Sequence, residues 1–304
     1  MPYYTMQDNE KLYVREFGQG QPVLVLSGLG MQSWQWLPFL YALKNQFHFI
    51  IPDWRGFGRS SQCAIPQLDA ISSHWQDLST LIDKMQLKDF QLIGYSMGAT
   101  TAMHGMQYGN LSEHLRSYLH IDQTPKITVD DSWQYGLFGQ EHQQFKLLLK
   151  KISTFLNQHS TTVFIEDLSE KSRNKLVKIW AEFIAFQSSN KISPFLFKLA
   201  EKQPKLQKYV LPIHRLDYLK WYIDNYLYHK EDYRQTISQL NCPTTFFSGE
   251  KSTLYPIQGQ KIIAKSVANS HQVIFKKSGH TPLINEPIKF TRALHLFLTN
   301  RSSP

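Results

Sequence analysis

The residues best placed to do chemistry in this chain are a serine between two glycines and a histidine far downstream of it. Gly94-Tyr95-Ser96-Met97-Gly98 has the pattern G-x-S-x-G. It follows Phe90–Ile93, a short apolar run of strand character, and precedes Ala99–Tyr108, a small-residue segment of helical character. That context carries more weight than the pattern. A sharp strand-to-helix turn strains the serine backbone and lifts its hydroxyl above the sheet edge. The two glycines leave room for the neighbouring strand and helix. The N–H groups that follow point outward at the helix start, where a developing oxyanion can be held. A serine hydroxyl needs a base to take its proton. Of the twelve histidines, His280 has the right setting, in the turn Ser278-Gly279-His280-Thr281-Pro282 between a strand and the last helix.

The elements that must position these groups alternate over the first 122 residues. Lys11–Phe17 has strand character. Pro22–Leu26 and Phe47–Ile51 are continuous apolar runs, as expected of strands buried on both faces. Ser72–Met85 places Trp75, Leu78, Leu81, Ile82 and Met85 on one helical stripe. Tyr118–Ile121 reads as the next strand and ends at Asp122. The alternation predicts a mostly parallel sheet covered by helices on both faces. The texture changes over 123–239, which holds only two of the fifteen glycines, Gly136 and Gly139. Three helical stripes run through it: Phe145 to Leu156, Leu176 to Ile184, and Leu216 to Leu227, with breaks at Pro194, Pro204 and Pro212. The α/β texture resumes with a strand at Pro243–Phe247, a helix around Ile257–Ala268, a strand at Gln272–Phe275 and a helix from Pro287 to Leu298.

Four motifs in this order resemble the α/β-hydrolase superfamily. They are Gly28-Leu29-Gly30 after the third strand, Asp53-Trp54-Arg55-Gly56-Phe57-Gly58-Arg59-Ser60 (family pattern D-x-R-G-x-G-x-S), Gly94–Gly98, and Ser278-Gly279-His280. The resemblance covers the core and leaves out the insertion. It implies an α/β-hydrolase core over 1–122 and 240–304, with 123–239 as a helical cap insertion. It also implies that Ser96 and His280 are catalytic and that the backbone N–H groups of Leu29 and Met97 bind the oxyanion. Asp53 is expected to fix the loop after the fourth strand.

The chain departs from the family pattern twice. Ser27-Gly28 stands where His-Gly is frequent, which leaves backbone donors intact. The acid that usually follows the seventh strand, in a G-x-x-D pattern, is missing: Gly249-Glu250-Lys251-Ser252 puts a serine there. Asp122, at the end of the sixth strand, is the better candidate to orient His280, because the two strand ends flank the same pocket; several branches of the superfamily place the acid there. Glu250 is the second candidate.

Composition narrows the reading. There are 33 basic and 24 acidic residues, a net charge of +9, and 42% of the chain is hydrophobic, enough for a core. Two cysteines make neither a disulfide framework nor a cysteine-rich zinc site, and no metal pattern or dinucleotide fingerprint is present. No cofactor is therefore expected. No apolar run suggests a membrane span, and Asp8, Glu10 and Lys11 interrupt any signal peptide, so the expected location is cytoplasmic. The insertion carries 17 basic against 12 acidic residues and the rest 16 against 12, so the charge forms no dense patch. That argues against nucleic acid as a partner and for solvated helix faces. The expected activity is a serine ester hydrolase of carboxylesterase or lipase type, acting on a small-molecule or lipid-like ester. The same residues acting on carbon–carbon bonds, thioesters or peracids, or a pocket serving as a receptor, are the alternatives.

Overall fold

The computed structural model describes residues 2–187 and 215–299. Its centre is an eight-stranded sheet: β1 (Tyr3–Thr5), β2 (Lys11–Gly18), β3 (Gln21–Leu26), β4 (Phe47–Pro52), β5 (Phe90–Tyr95), β6 (Leu115–Ile121), β7 (Thr244–Gly249) and β8 (Ser270–Phe275). The strand order is β1-β2-β4-β3-β5-β6-β7-β8. β2 pairs antiparallel with β1 and β4, and the remaining pairs are parallel. This is the α/β-hydrolase fold. The central strands are apolar on both faces because both are covered: Val23, Leu24, Ile50, Ile51, Leu92 and Ile93 are all fully buried. β1 escapes a sequence reading because three residues are too few to show an alternation.

The long helices of this part of the chain are α1 (Ala70–Met85) and α2 (Met97–Tyr108). Asp69 caps α1 by accepting from the N–H groups of Ile71 and Ser72, at 3.0 and 3.1 Å. Trp75 of α1 lies where a Cβ on Gly105 or Gly109 would stand, so these glycines set how closely the two helices approach. The D-x-R-G segment is held by its own charges. Asp53 accepts from Ser33 N–H at 2.6 Å and Arg59 N–H at 3.0 Å. Arg55 forks onto Asp77, with Nε and Nη2 each at 2.7 Å, and reaches Asp8 through Nη1 at 2.6 Å.

Contacts divide the chain into two units, Met1–Gly139 with Lys230–Pro304, and Gln140–His229. The sequence reading places the insertion at 123–239, wider at both ends. The difference has a physical cause: the flanks are stitched into the first unit. Phe138 N–H donates to Leu254 O at 2.7 Å, Thr236 Oγ1 donates to Gln107 Oε1 of α2 at 2.8 Å, and the two flanks join each other where Tyr233 N–H donates to Pro125 O at 2.9 Å. Within the second unit, α3 (His142–Asn157) packs against α4 (Glu170–Gln187) and α5 (Leu216–Tyr228). Phe145 meets Phe183 and Phe186 at ring distances of 5.8 and 6.1 Å. The expected breaks at Pro194, Pro204 and Pro212 lie outside the described residues. Among the described residues no helix is long and apolar enough to cross a membrane. The first unit closes with α6 (Ile257–Ser266) and α7 (Pro287–Leu298).

Two histidines in the first unit are buried as neutral imidazoles. Burial pulls His74 down to about 3, with the Arg55 charge adding to it, and burial pulls His120 down to about 4. Both return to the ordinary 6.5 when the chain unfolds. Between pH 6.5 and about 4 the unfolded state therefore binds more protons, and stability falls as the pH drops through that window. The urea midpoint is expected to be lower at about pH 4.5 than at about pH 7, and His74→Leu is expected to flatten this slope. An unchanged slope in that variant would contradict the assignment.

Candidate active site

Ser96 sits between the end of β5 and the start of α2, with φ 51° and ψ −119°. Few non-glycine residues adopt such a backbone, and its neighbours enforce it. A Cβ on Gly98 would collide with the Leu26 carbonyl of β3, and one on Gly94 would lie 2.8 Å from the Ala99 Cα. These glycines let β5 and α2 close tightly around the turn. Ser96 N–H donates to Ile121 O at 3.0 Å, and the Ser96 carbonyl accepts from Ala99 N–H at 2.8 Å. The nucleophile candidate is thereby tied to the end of β6 as well as to its own helix.

The same end of β6 supplies Asp122. Its φ of 42° turns the chain, its N–H donates to Phe247 O at 2.8 Å, and its side chain is completely buried. His280 Nδ1 lies 2.7 Å from Asp122 Oδ2, and His280 Nε2 lies 2.9 Å from Ser96 Oγ. An ionised carboxylate only accepts, so the imidazole directs Nδ1–H at Asp122 and leaves Nε2 to accept from the serine hydroxyl. That is the tautomer a general base needs. Glu250 is exposed and engages Phe275 O through its backbone N–H. Among the described residues, the carboxylate bonded to His280 is that of Asp122.

Two tyrosines frame the imidazole. Tyr95 stacks on His280 with ring centres 5.4 Å apart and donates its hydroxyl to the His280 carbonyl at 3.1 Å. Burial, and secondarily the Asp122 charge, push the Tyr95 hydroxyl's pKa up, which keeps it a donor. Tyr255 meets the ring edge-on at 5.4 Å. The loop after β3 reaches the same place: a Cβ on Gly28 would lie 3.4 Å from Ser96 Cβ and 3.1 Å from the Tyr95 ring. Leu29 follows this glycine with its side chain exposed, and Met97 is the first, buried residue of α2. Ser27 is tied down, its Oγ accepting from Trp36 Nε1 at 3.1 Å and its carbonyl from Trp54 Nε1 at 2.7 Å.

Sequence reasoning missed the surroundings of Asp122. Its Oδ1 accepts from Gly249 N–H at 2.8 Å and from Gln260 Nε2 at 3.0 Å; its Oδ2 accepts from Ser252 Oγ at 2.7 Å as well as from His280. The one available signal was Ser252 standing where an aspartate was expected. Among the described residues no group of three or more His, Cys, Asp or Glu is arranged to hold a metal ion.

Known proteins resemble this chain along nearly its whole length. A pimeloyl-[acyl-carrier protein] methyl ester esterase of Legionella pneumophila (strain Corby) is 25% identical over 289 residues, 94% of this chain and 99% of that one. Two solved structures have the same fold at 19% identity. An esterase from Exiguobacterium antarcticum superposes with a TM-score of 0.67, covering 98% of each chain. A thermophilic esterase from Thermogutta terrifontis superposes with a TM-score of 0.68, covering 99% of this chain and 98% of the other. The family model for the alpha/beta hydrolase fold matches residues 21–287, which takes in the turn at Ser96, the end of β6 and the loop at His280, and the chain belongs to that family.

Proposed function

We propose that this protein is a serine hydrolase of carboxylic esters, of carboxylesterase or lipase type. The observation that carries this reading is the continuous line from Asp122 through His280 to Ser96, at 2.7 and 2.9 Å, on a strained serine backbone. His280 takes the Ser96 proton as Oγ attacks the ester carbonyl. The carbonyl oxygen becomes an oxyanion, held by the backbone N–H groups of Leu29 and Met97. Its collapse expels the alcohol, which takes the proton from His280 and leaves an acyl-serine. Water, deprotonated by the same imidazole, attacks the acyl carbon and releases the acid, and Ser96 recovers its proton. Asp122 keeps the imidazole in its working tautomer and stabilises the imidazolium between the two half-reactions. In this scheme the helical unit between the sixth and seventh strands is a cap that selects the substrate.

The names of the relatives support ester cleavage and favour one narrower reading, a methyl ester of an acyl group borne on a carrier protein. A panel of p-nitrophenyl esters of increasing acyl length, with monomethyl pimelate beside them, tests both. Turnover of short p-nitrophenyl esters without an interface is the expected result, and turnover of the methyl ester supports the narrower substrate. Activity that needs detergent or lipid droplets would shift the reading to a lipase. A folded protein that cleaves none of the panel and is not labelled at Ser96 by a fluorophosphonate would overturn it.

A further inference from the structure

We propose that Ser252 and Gln260 are positioning residues of this site, aiming His280 through the Asp122 carboxylate. The proposal rests on the triad reading above and deepens it. An ionised carboxylate offers about four acceptor positions. Asp122 has four donors, His280 Nδ1, Ser252 Oγ, Gln260 Nε2 and Gly249 N–H, at 2.7 to 3.0 Å. Gly249 closes β7, and Ser252 and Gln260 follow it in the segment that lacks the acid expected there. That segment supplies no carboxylate and instead grips the one at the end of the neighbouring strand.

The grip is a closed network. Tyr255 N–H donates to Ser252 Oγ at 3.3 Å, while Gln260 Nε2 donates to Tyr255 O at 2.8 Å as well as to Asp122. The Tyr255 ring is the one that lies edge-on to His280. Ser252 shares Oδ2 with His280, so the hydroxyl fixes the oxygen toward which Nδ1–H points. Gln260 holds the opposite oxygen and stops the carboxylate from rotating about its terminal bond. With both in place, the plane of the carboxylate, the tilt of the imidazole and the approach of Nε2 to Ser96 Oγ follow from one another. All three side chains are buried, so water does not replace a lost donor at no cost.

Three variants separate positioning from mere satisfaction of buried atoms: Ser252→Ala, Gln260→Met, which keeps size but not the donors, and Ser252→Thr, which keeps the hydroxyl. On p-nitrophenyl acetate, Ser252→Ala and Gln260→Met are expected to lose about tenfold in kcat with KM changed by less than about twofold, and Ser252→Thr to recover most of the loss. A second readout needs no turnover: the downfield proton resonance of His280 Nδ1–H is expected to move in the first two variants and to stay in the third. Folded variants that retain both kcat and the resonance would overturn the proposal, and Gln260→Met decides the matter alone if Ser252→Ala does not fold. A wild-type protein that cleaves no ester would defeat the ester reading while leaving the resonance test intact.

Discussion

Ser96→Ala is expected to lower kcat/KM on a p-nitrophenyl ester by at least about 10⁴-fold, to the residual rate given by binding and the oxyanion donors. In the proposed mechanism this variant removes the reacting atom itself, Ser96 Oγ, which lies 2.9 Å from the His280 Nε2 that would receive its proton. The fold should survive, because Ser96 is held by its backbone, through Ile121 O and the turn into α2, and alanine keeps that backbone. His280→Ala should cost about as much, and the double variant little more than either single one, because the two groups act as one device. Purely additive losses in the double variant would show that they act apart. Full activity in Ser96→Ala would remove the proposed nucleophile altogether.

Different parts of this site were legible to different depths, for a physical reason. The turn at Ser96 is encoded locally, since a strand, two glycines and a helix within about twenty residues suffice to create it. His280 is legible for the same reason, as a histidine in a polar turn between a strand and a terminal helix. Asp122 was harder, because an aspartate ending a strand is also an ordinary turn residue. Only the pairing of β6 with β5 and β7 makes its position special. Gln260 was out of reach: it lies within α6, and its partner is 138 residues away in sequence. The insertion, read at 123–239, is wider than the contact unit Gln140–His229 for the same reason. The flanking segments look like the insertion in composition, yet hydrogen bonds such as Phe138 N–H to Leu254 O and Thr236 Oγ1 to Gln107 Oε1 tie them to the first unit. What depends on spacing along the chain was readable, and what depends on pairing across it was readable only in part.

Asp122→Asn is expected to cost about 10⁴-fold in kcat while Glu250→Gln leaves activity within about twofold of wild type. The argument follows from the number of donors. Four of them converge on the Asp122 carboxylate, and a carboxylate can accept from all four. An amide accepts on one side only, so its NH₂ must face donors whichever way it turns. If the NH₂ faces Gly249 and Gln260, two pairs of donors oppose each other in a buried space. If it faces His280, the imidazole accepts at Nδ1 and carries its proton on Nε2, where it can no longer take one from Ser96. Either arrangement fails, the first through stability and the second through the tautomer. A melting curve beside the kinetics tells them apart: loss of activity with the fold intact identifies the tautomer. Glu250 has no such position: it is exposed and, among the described residues, is anchored through its backbone N–H on Phe275 O. Near-normal turnover in Asp122→Asn, or a large loss in Glu250→Gln, would move the acid from the sixth strand to the seventh.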